Sequence, residues 1–404
     1  MSLCVVVFCI VLEELPILWN MRVDSCSKVF VLMSSVVLVM IMLLPMDSMN
    51  MYNTAVLSVI VVITMSMVFV LESPILFYVF FELSVIPLGI LLVSHGEYPE
   101  RLLASSYLYL YTFLGSIPMF VVVLYLPTPS VFELWNDVSY SIWVSIMLVA
   151  LLVKLPMFSL HLWLPKAHSQ SPVLGSVLLA ALALKLSSYG LIRLISNLTD
   201  LFGSFVIVSI FVMSLFGMLV SSFITSLQAD SKVYIAYSSV AHMGLCVCVA
   251  LSGGCYAFAS AVTLSVVHAI VSSGYFLMAH FWSLFYSSRS LYLIKSFGSL
   301  HRWSLVVMLL LAMGNTSTPP WFSYLSEVMF FGSVLSHTSY GYLCVVLLLL
   351  IYVMVGVYTV LLFAAVIYGV FSSTSSLHMG AMSVFSYSVF VVGCSAFLLQ
   401  VLLL

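Results

Sequence analysis

Residues 148–168 read LVALLVKLPMFSLHLWLPKAH, and this stretch decides the fold. An uncharged run, Val138 to Val153, leads into Lys154, and a second apolar run separates it from Lys166. Lys154 therefore falls well inside a segment of membrane-spanning length, since a helix needs about 20 apolar residues to cross a bilayer. Pro156 follows two positions later. It lacks a backbone donor and drives the residue before it out of helical geometry, so the helix is interrupted beside the charge. A lysine at that depth costs roughly 2.5–3.5 kcal/mol on insertion scales, which marks it as a functional-site candidate.

The rest of the composition agrees with a membrane location. The chain has 404 residues, 64% hydrophobic and 6% charged, where a soluble domain carries about 25% charge. The apolar runs are continuous rather than alternating, which predicts helices and not a barrel. A net charge of −2 with no basic cluster gives no sign of nucleic-acid binding. The eight cysteines, Cys4, Cys9, Cys26, Cys246, Cys248, Cys255, Cys344 and Cys394, are scattered without zinc or iron–sulfur spacing and read as small apolar membrane residues. The amino terminus has no Arg-rich presequence; its apolar start, closed by Glu13 and Glu14, reads as a short, imperfect first helix.

Working outward, thirteen membrane segments are expected: 3–19, 29–46, 52–71, 74–94, 102–126, 139–164, 172–195, 201–227, 233–251, 255–286, 303–337, 341–370 and 383–404. The sixth is broken at Pro156, and the eleventh is interrupted by GNTSTPP (314–320). No linker separates a soluble domain, so one membrane domain covers 1–404. Loops after even-numbered segments hold Arg101, Lys166, Lys232, Arg289, Lys295 and Arg302, whereas the odd loops hold Arg22, Lys28 and Arg193 with most of the acids. The positive-inside rule puts the even loops on the cytoplasmic or matrix side.

Four charges lie inside segments: Glu82, Lys154, Lys185 and Glu327. Glu82 and Lys185 are mid-segment, where snorkelling to the interface accounts for them poorly. Structural ion pairing is the alternative account. His242 and His268 are also mid-segment, and an imidazole can accept a proton on one nitrogen while donating from the other. Each alone reads more readily as a satisfied core residue; together, in the half that holds Glu327, they point to a relay. His95, His280, His301, His337 and His378 are not assigned to it. Interrupted helices at corresponding places in two halves mark the site in repeat-built transporters.

At these residues the chain resembles a known family. The blocks are FELSVIPLGILL (81–92), HLWLPKAH (161–168), LLAALALKLSSYGLIR (178–193), QADSKVYIAYSSVAHMGL (228–245), VVHAIVSSGYF (266–276) and GNTSTPPWFSYLSE (314–327). They are similar to subunit 4 of the proton-pumping NADH:ubiquinone oxidoreductase, respiratory complex I, as encoded in mitochondrial DNA. The resemblance implies an all-α polytopic fold of two inverted five-helix repeats, each with a broken helix. The half-channel repeats would cover 74–195 and 201–370, with peripheral helices at 1–71 and 383–404. It implies Glu82 and Lys154 as the pair of the first half-channel, Lys185 as the connecting lysine, His242 and His268 as the central relay, and Glu327 as the terminal group. Glutamate at that last position resembles subunit 4, whereas the related subunits 2 and 5 carry lysine; the long carboxyl-terminal lateral helix of subunit 5 is absent too.

The resemblance further implies a multi-pass protein of the mitochondrial inner membrane, with the antiporter-like subunits 2 and 5, supernumerary subunits and lipids including cardiolipin as partners. No cofactor is expected in this chain; FMN and iron–sulfur clusters belong to other subunits. Two departures stand out. One helix fewer precedes Glu82 than in the family, and Gln170 replaces the acid of the usual KAHVEAP. A cation/proton antiporter and an inert membrane scaffold are the competing readings.

Overall fold

The computed structural model describes residues 24–42, 51–96, 98–125, 141–196, 205–295, 302–319, 321–337 and 341–367. The expected first and last segments lie outside them. The chain is an all-α polytopic membrane protein, with no strand among the described residues. In order, the helices are α1 (Ser25–Met42), α2 (Met51–Val68), α3 (Pro74–Leu83), α4 (Val85–His95), α5 (Arg101–Tyr125), α6 (Ser141–Lys154), α7 (Trp163–Gln170) and α8 (Val173–Leu178). A π-helical turn, Leu179–Ala183, joins α8 to α9 (Leu184–Ser196). There follow α10 (Phe205–Ser226), α11 (Ser231–Leu251), α12 (Cys255–Tyr286), α13 (Arg302–Asn315), α14 (Phe322–His337) and α15 (Gly341–Ile367).

Eight of the resulting stretches are long and apolar enough to cross a membrane, and three shorter apolar helices begin at Asn53, Trp143 and Ser304. Together they account for the eleven expected segments that fall on described residues. Two of the three short ones belong to the segments that the sequence predicts to be broken. The sixth ends as a helix at Lys154 and restarts at Trp163; the eleventh ends at Asn315 and restarts at Phe322. The two are an odd number of segments apart, so in an alternating bundle the interrupted helices run in opposite directions.

Two irregularities go beyond the sequence reading. The fourth segment, expected as one helix, is divided at Ser84 into α3 and α4. Pro87 has no N–H for Leu83 and crowds its carbonyl, which loosens this turn. The seventh carries the π turn just before Lys185, a local widening that frees backbone carbonyls and is frequent at functional sites.

Burial separates the helices into a centre and a rim. The membrane windows of Val173–Ile195 and of α12 are each 94% buried and that of α11 is 89% buried, whereas those of α5 and α15 are 33% buried. The central three carry Lys185, His268 and His242. Close packing at the first break depends on Gly217: a Cβ there would lie 2.4 Å from Cβ of Phe158 in the 155–162 turn, so only glycine lets α10 approach it.

Loop contacts agree with the expected parity. On the even side, Gln170 Nε2 donates to Glu100 at 3.3 Å and the Arg289 guanidinium donates to Ser169 O at 2.7 Å while covering the Tyr98 ring. Backbone bonds Ser231 N→Arg289 O and Leu291 N→Ala229 O join two even loops. On the odd side, Arg193 pairs with Asp24 at 3.1 Å. Lys232, read as a loop charge, is 1% exposed and donates to Ser171 O at 3.0 Å. The carbonyls at the end of the short helix α7 have no intrahelical partners, and the ammonium supplies one.

Candidate functional site

The site is built from three groups of side chains, each anchored where a helix departs from regular geometry. The first forms at the break after α6. Pro156 cannot donate to Leu152 O, so Met157 N takes that carbonyl at 3.4 Å. Val153 O then has no helical donor, and the Trp163 indole supplies one at 3.0 Å. Lys154, 5% exposed, is thereby held at the terminus of α6. Its ammonium lies 3.1 Å from Glu82 Oε1, donates to Phe81 O at 2.7 Å, and sits 3.2 Å from the centre of the Phe81 ring. Phe81 O sits at the loosened turn around Ser84, whose hydroxyl also donates to it. A cavity of about 20 Å³ adjoins Lys154, lined in part by Ser84, Thr112, Trp163 and Ala183.

The second group lies at the centre of the molecule. Lys185 is fully buried on α9 and donates to Ala180 O, five residues earlier, at 2.9 Å. That carbonyl belongs to the π turn. The same ammonium lies 2.8 Å from His268 Nδ1. When Lys185 is charged, Nδ1 accepts and the imidazole proton resides on Nε2; when the imidazole is charged, Nδ1 donates to the neutral amine. The His268 ring faces that of His242 on α11, with centres 5.4 Å apart. His242 Nε2 in turn lies 3.4 Å from the Tyr358 hydroxyl of α15.

The third group surrounds the second break. Asn315, the last residue of α13, brings its side chain against both His242 and Tyr358. Glu327, 7% exposed on α14, accepts a hydrogen bond from the Ser317 hydroxyl within the break and lies beside Tyr352.

The structure brings some of the sequence-predicted residues together and leaves others apart. Glu82 meets Lys154, Lys185 meets His268, and the His268 ring packs beside that of His242. Among the described residues no direct hydrogen bond joins Lys154 to Lys185 or His242 to Glu327. Sequence reasoning assigns no role to Phe81, Asn315, Ser317 or Tyr358. Asn315 and Ser317 lie in the quoted break, so their position is a usable signal; Tyr358, on a long apolar helix, offers none. His168, quoted only as part of a motif, is fully buried and stacks on Phe276 at 4.4 Å with neither ring nitrogen hydrogen-bonded among the described residues. Cys26, Cys246, Cys248 and Cys344 are buried free thiols, and no group of three or more metal-ligating side chains is present among the described residues.

Ionisable side chains strung through the centre of a bundle, beside interrupted helices of opposite direction, define a polytopic membrane protein of the interrupted-helix class to which repeat-built transporters belong. Residues 72–351 match the family model for the transmembrane region of NADH:quinone oxidoreductases and Mrp antiporters, and the chain belongs to that family. It is 34% identical over 309 residues to NADH-ubiquinone oxidoreductase chain 4 of Locusta migratoria, covering 74% of this chain and 67% of that one. It is 37% identical over 286 residues to the chain 4 of Artemia franciscana, covering 69% and 72%. Its fold is similar to a chain of respiratory complex I from Thermus thermophilus (TM-score 0.81, 19% identity, 91% of this chain and 80% of that one). It is equally similar to a chain of the Mrp complex from Dietzia sp. DQ12-45-1b (TM-score 0.82, 14% identity, 94% and 82%).

Proposed function

We propose that this chain is the counterpart of chain 4 in respiratory complex I: an antiporter-like, proton-translocating subunit of the membrane arm, in the mitochondrial inner membrane. The observation that carries the reading is the buried succession Glu82–Lys154, Lys185–His268–His242 and Glu327, each group seated at a helix irregularity. Residues 74–195 form the first half-channel and 201–370 the second. The Glu82–Lys154 ion pair holds or releases a proton according to whether its partners are together or apart. Lys185 passes a proton to His268 through the shared hydrogen bond, His242 receives it, and Glu327 delivers it toward the odd-loop side. The even loops face the matrix. Electron transfer from NADH to ubiquinone takes place on FMN and iron–sulfur clusters of other subunits, and this chain holds no cofactor. Its neighbours are the antiporter-like subunits 2 and 5, supernumerary subunits and cardiolipin-containing lipid.

The resemblance in fold to the Mrp complex favours a second reading, cation/proton exchange without NADH. One experiment separates the two. In the first, the chain co-migrates with an NADH-oxidising assembly, and Lys185→Met leaves that assembly intact while lowering protons pumped per electron. NADH-independent sodium/proton exchange by the isolated chain would replace the first reading with the second. Wild-type pumping by Lys185→Met would remove Lys185 from the path.

A further inference from the structure

Helix α13 ends in a Schellman-type cap. Thr316 N bonds to Ala312 O, Thr318 N reaches back to Met313 O at 3.1 Å, and the residue between them, Ser317, takes a left-handed conformation with φ of 52°. This is the position that glycine fills by default, because a Cβ there crowds the backbone. A serine at such a site calls for a reason beyond turning the chain.

Comparison within the molecule supplies one. Three non-glycine residues among the described ones have positive φ, and all are serines: Ser159, Ser287 and Ser317. Ser159 and Ser287 are exposed, and the first lies in the other break, where it serves as a turn residue. Ser317 alone of the three is buried, at 6% exposure. Its neighbours Thr316 and Thr318 turn their hydroxyls back to the carbonyls of Ala312 and Met313, capping α13. The Ser317 hydroxyl instead crosses the break to the Glu327 carboxylate, ten residues on. The left-handed backbone is what directs it there.

We propose that Ser317 is a positioning residue for Glu327: its hydroxyl fixes the carboxyl group against the break, so that the group can exchange a proton on the side from which Asn315 and Tyr358 reach His242. The proposal rests on the role given to Glu327 above, and the test separates the two. The variants are Ser317→Gly, Ser317→Asn and Glu327→Gln, each in the assembled NADH-oxidising complex. Glycine suits the left-handed cap better than serine, so Ser317→Gly assembles normally and loses only the hydroxyl. Asparagine tolerates the same backbone and carries an amide donor for the carboxylate.

Two readouts are taken: protons pumped per electron with coupled turnover, and the carboxyl C=O stretch assigned to Glu327 by its loss in Glu327→Gln. Ser317→Gly is expected to lower coupled turnover about tenfold, the scale of one hydrogen bond to a charged group, and to shift the carboxyl band; Ser317→Asn restores both in part. Wild-type pumping and an unmoved band in Ser317→Gly, with Glu327→Gln impaired, would overturn the proposal and leave the role of Glu327 standing. Failure of Ser317→Gly to assemble would make Ser317 a packing residue and also overturn it. Wild-type pumping by Glu327→Gln would sink the underlying role itself.

Discussion

At the scale of single residues, the recurring device is an ionisable side chain hydrogen-bonded by groups that lie at a helix irregularity. Lys154 takes Phe81 O beside the Ser84 turn, Lys185 takes Ala180 O from the π turn, and Glu327 takes a hydroxyl from the second break. In hydrocarbon every such group must find an internal partner. The Glu82–Lys154 pair joins two opposite charges on separate segments, so helix movement can part them. Lys154→Met is expected to leave assembly intact while lowering pumping and coupled turnover, and Lys154→Arg to impair pumping as well, because a guanidinium does not deprotonate in proteins. A double-mutant cycle with Glu82→Gln should show coupling of about 0.5–3 kcal/mol, the range for residues in direct contact. Strictly additive losses in coupled turnover would mean that the two side chains act independently.

At the scale of elements, the breaks are built structures rather than gaps. Pro156 creates the first by withholding a donor. Trp163 completes it: α6 stops at Lys154, and the indole reaches Val153 O from ten residues further along the chain. Trp163→Phe keeps most of the packing and removes that donor. The buried carbonyl left behind costs about 1–3 kcal/mol. The expected outcome is a lower thermal midpoint of the purified assembly, with Lys154-dependent pumping reduced in proportion as the end of α6 loosens. An unchanged midpoint would show that water or a neighbouring subunit satisfies Val153 O equally well. Gly217 belongs to the same element, since its lack of a Cβ admits Phe158 of the turn.

At the scale of the whole molecule, the two proposed half-channels are fastened across the even side. Arg289 and Lys232, from the second half, donate to carbonyls at the end of α7, in the first. The odd side is tied by Arg193 and Asp24. Parity of the loops thus has a physical test. In sealed inner-membrane vesicles, a membrane-impermeant thiol reagent should modify Glu100→Cys and Lys166→Cys from the matrix face, and Asp24→Cys and Glu72→Cys from the opposite face. Labelling of both sets from one face would reject the segment count.

Much of this is legible in the sequence because membranes simplify the problem. A charge within a long apolar run is conspicuous, and a proline beside it announces a break, so Glu82, Lys154, Lys185, Glu327 and both interruptions can be read from residues alone. The sequence by itself determined that the chain is a bundle of membrane helices, how many segments the described part holds, and that Glu82, Lys154, Lys185 and Glu327 are buried; it placed Lys232, equally buried, in a loop. Only the tertiary structure decided which of those charges meet. The Lys185–His268 contact joins residues 83 apart, and the Tyr358–His242 contact residues 116 apart. Side chains on a uniformly apolar helix such as α15 have no sequence period that tells a lipid-facing side from a buried one. The π turn before Lys185 is equally hidden, because nothing in the apolar run 178–184 marks where the helix widens, and at the Ser84 division the Phe81 carbonyl takes its ammonium from Lys154, 73 residues on.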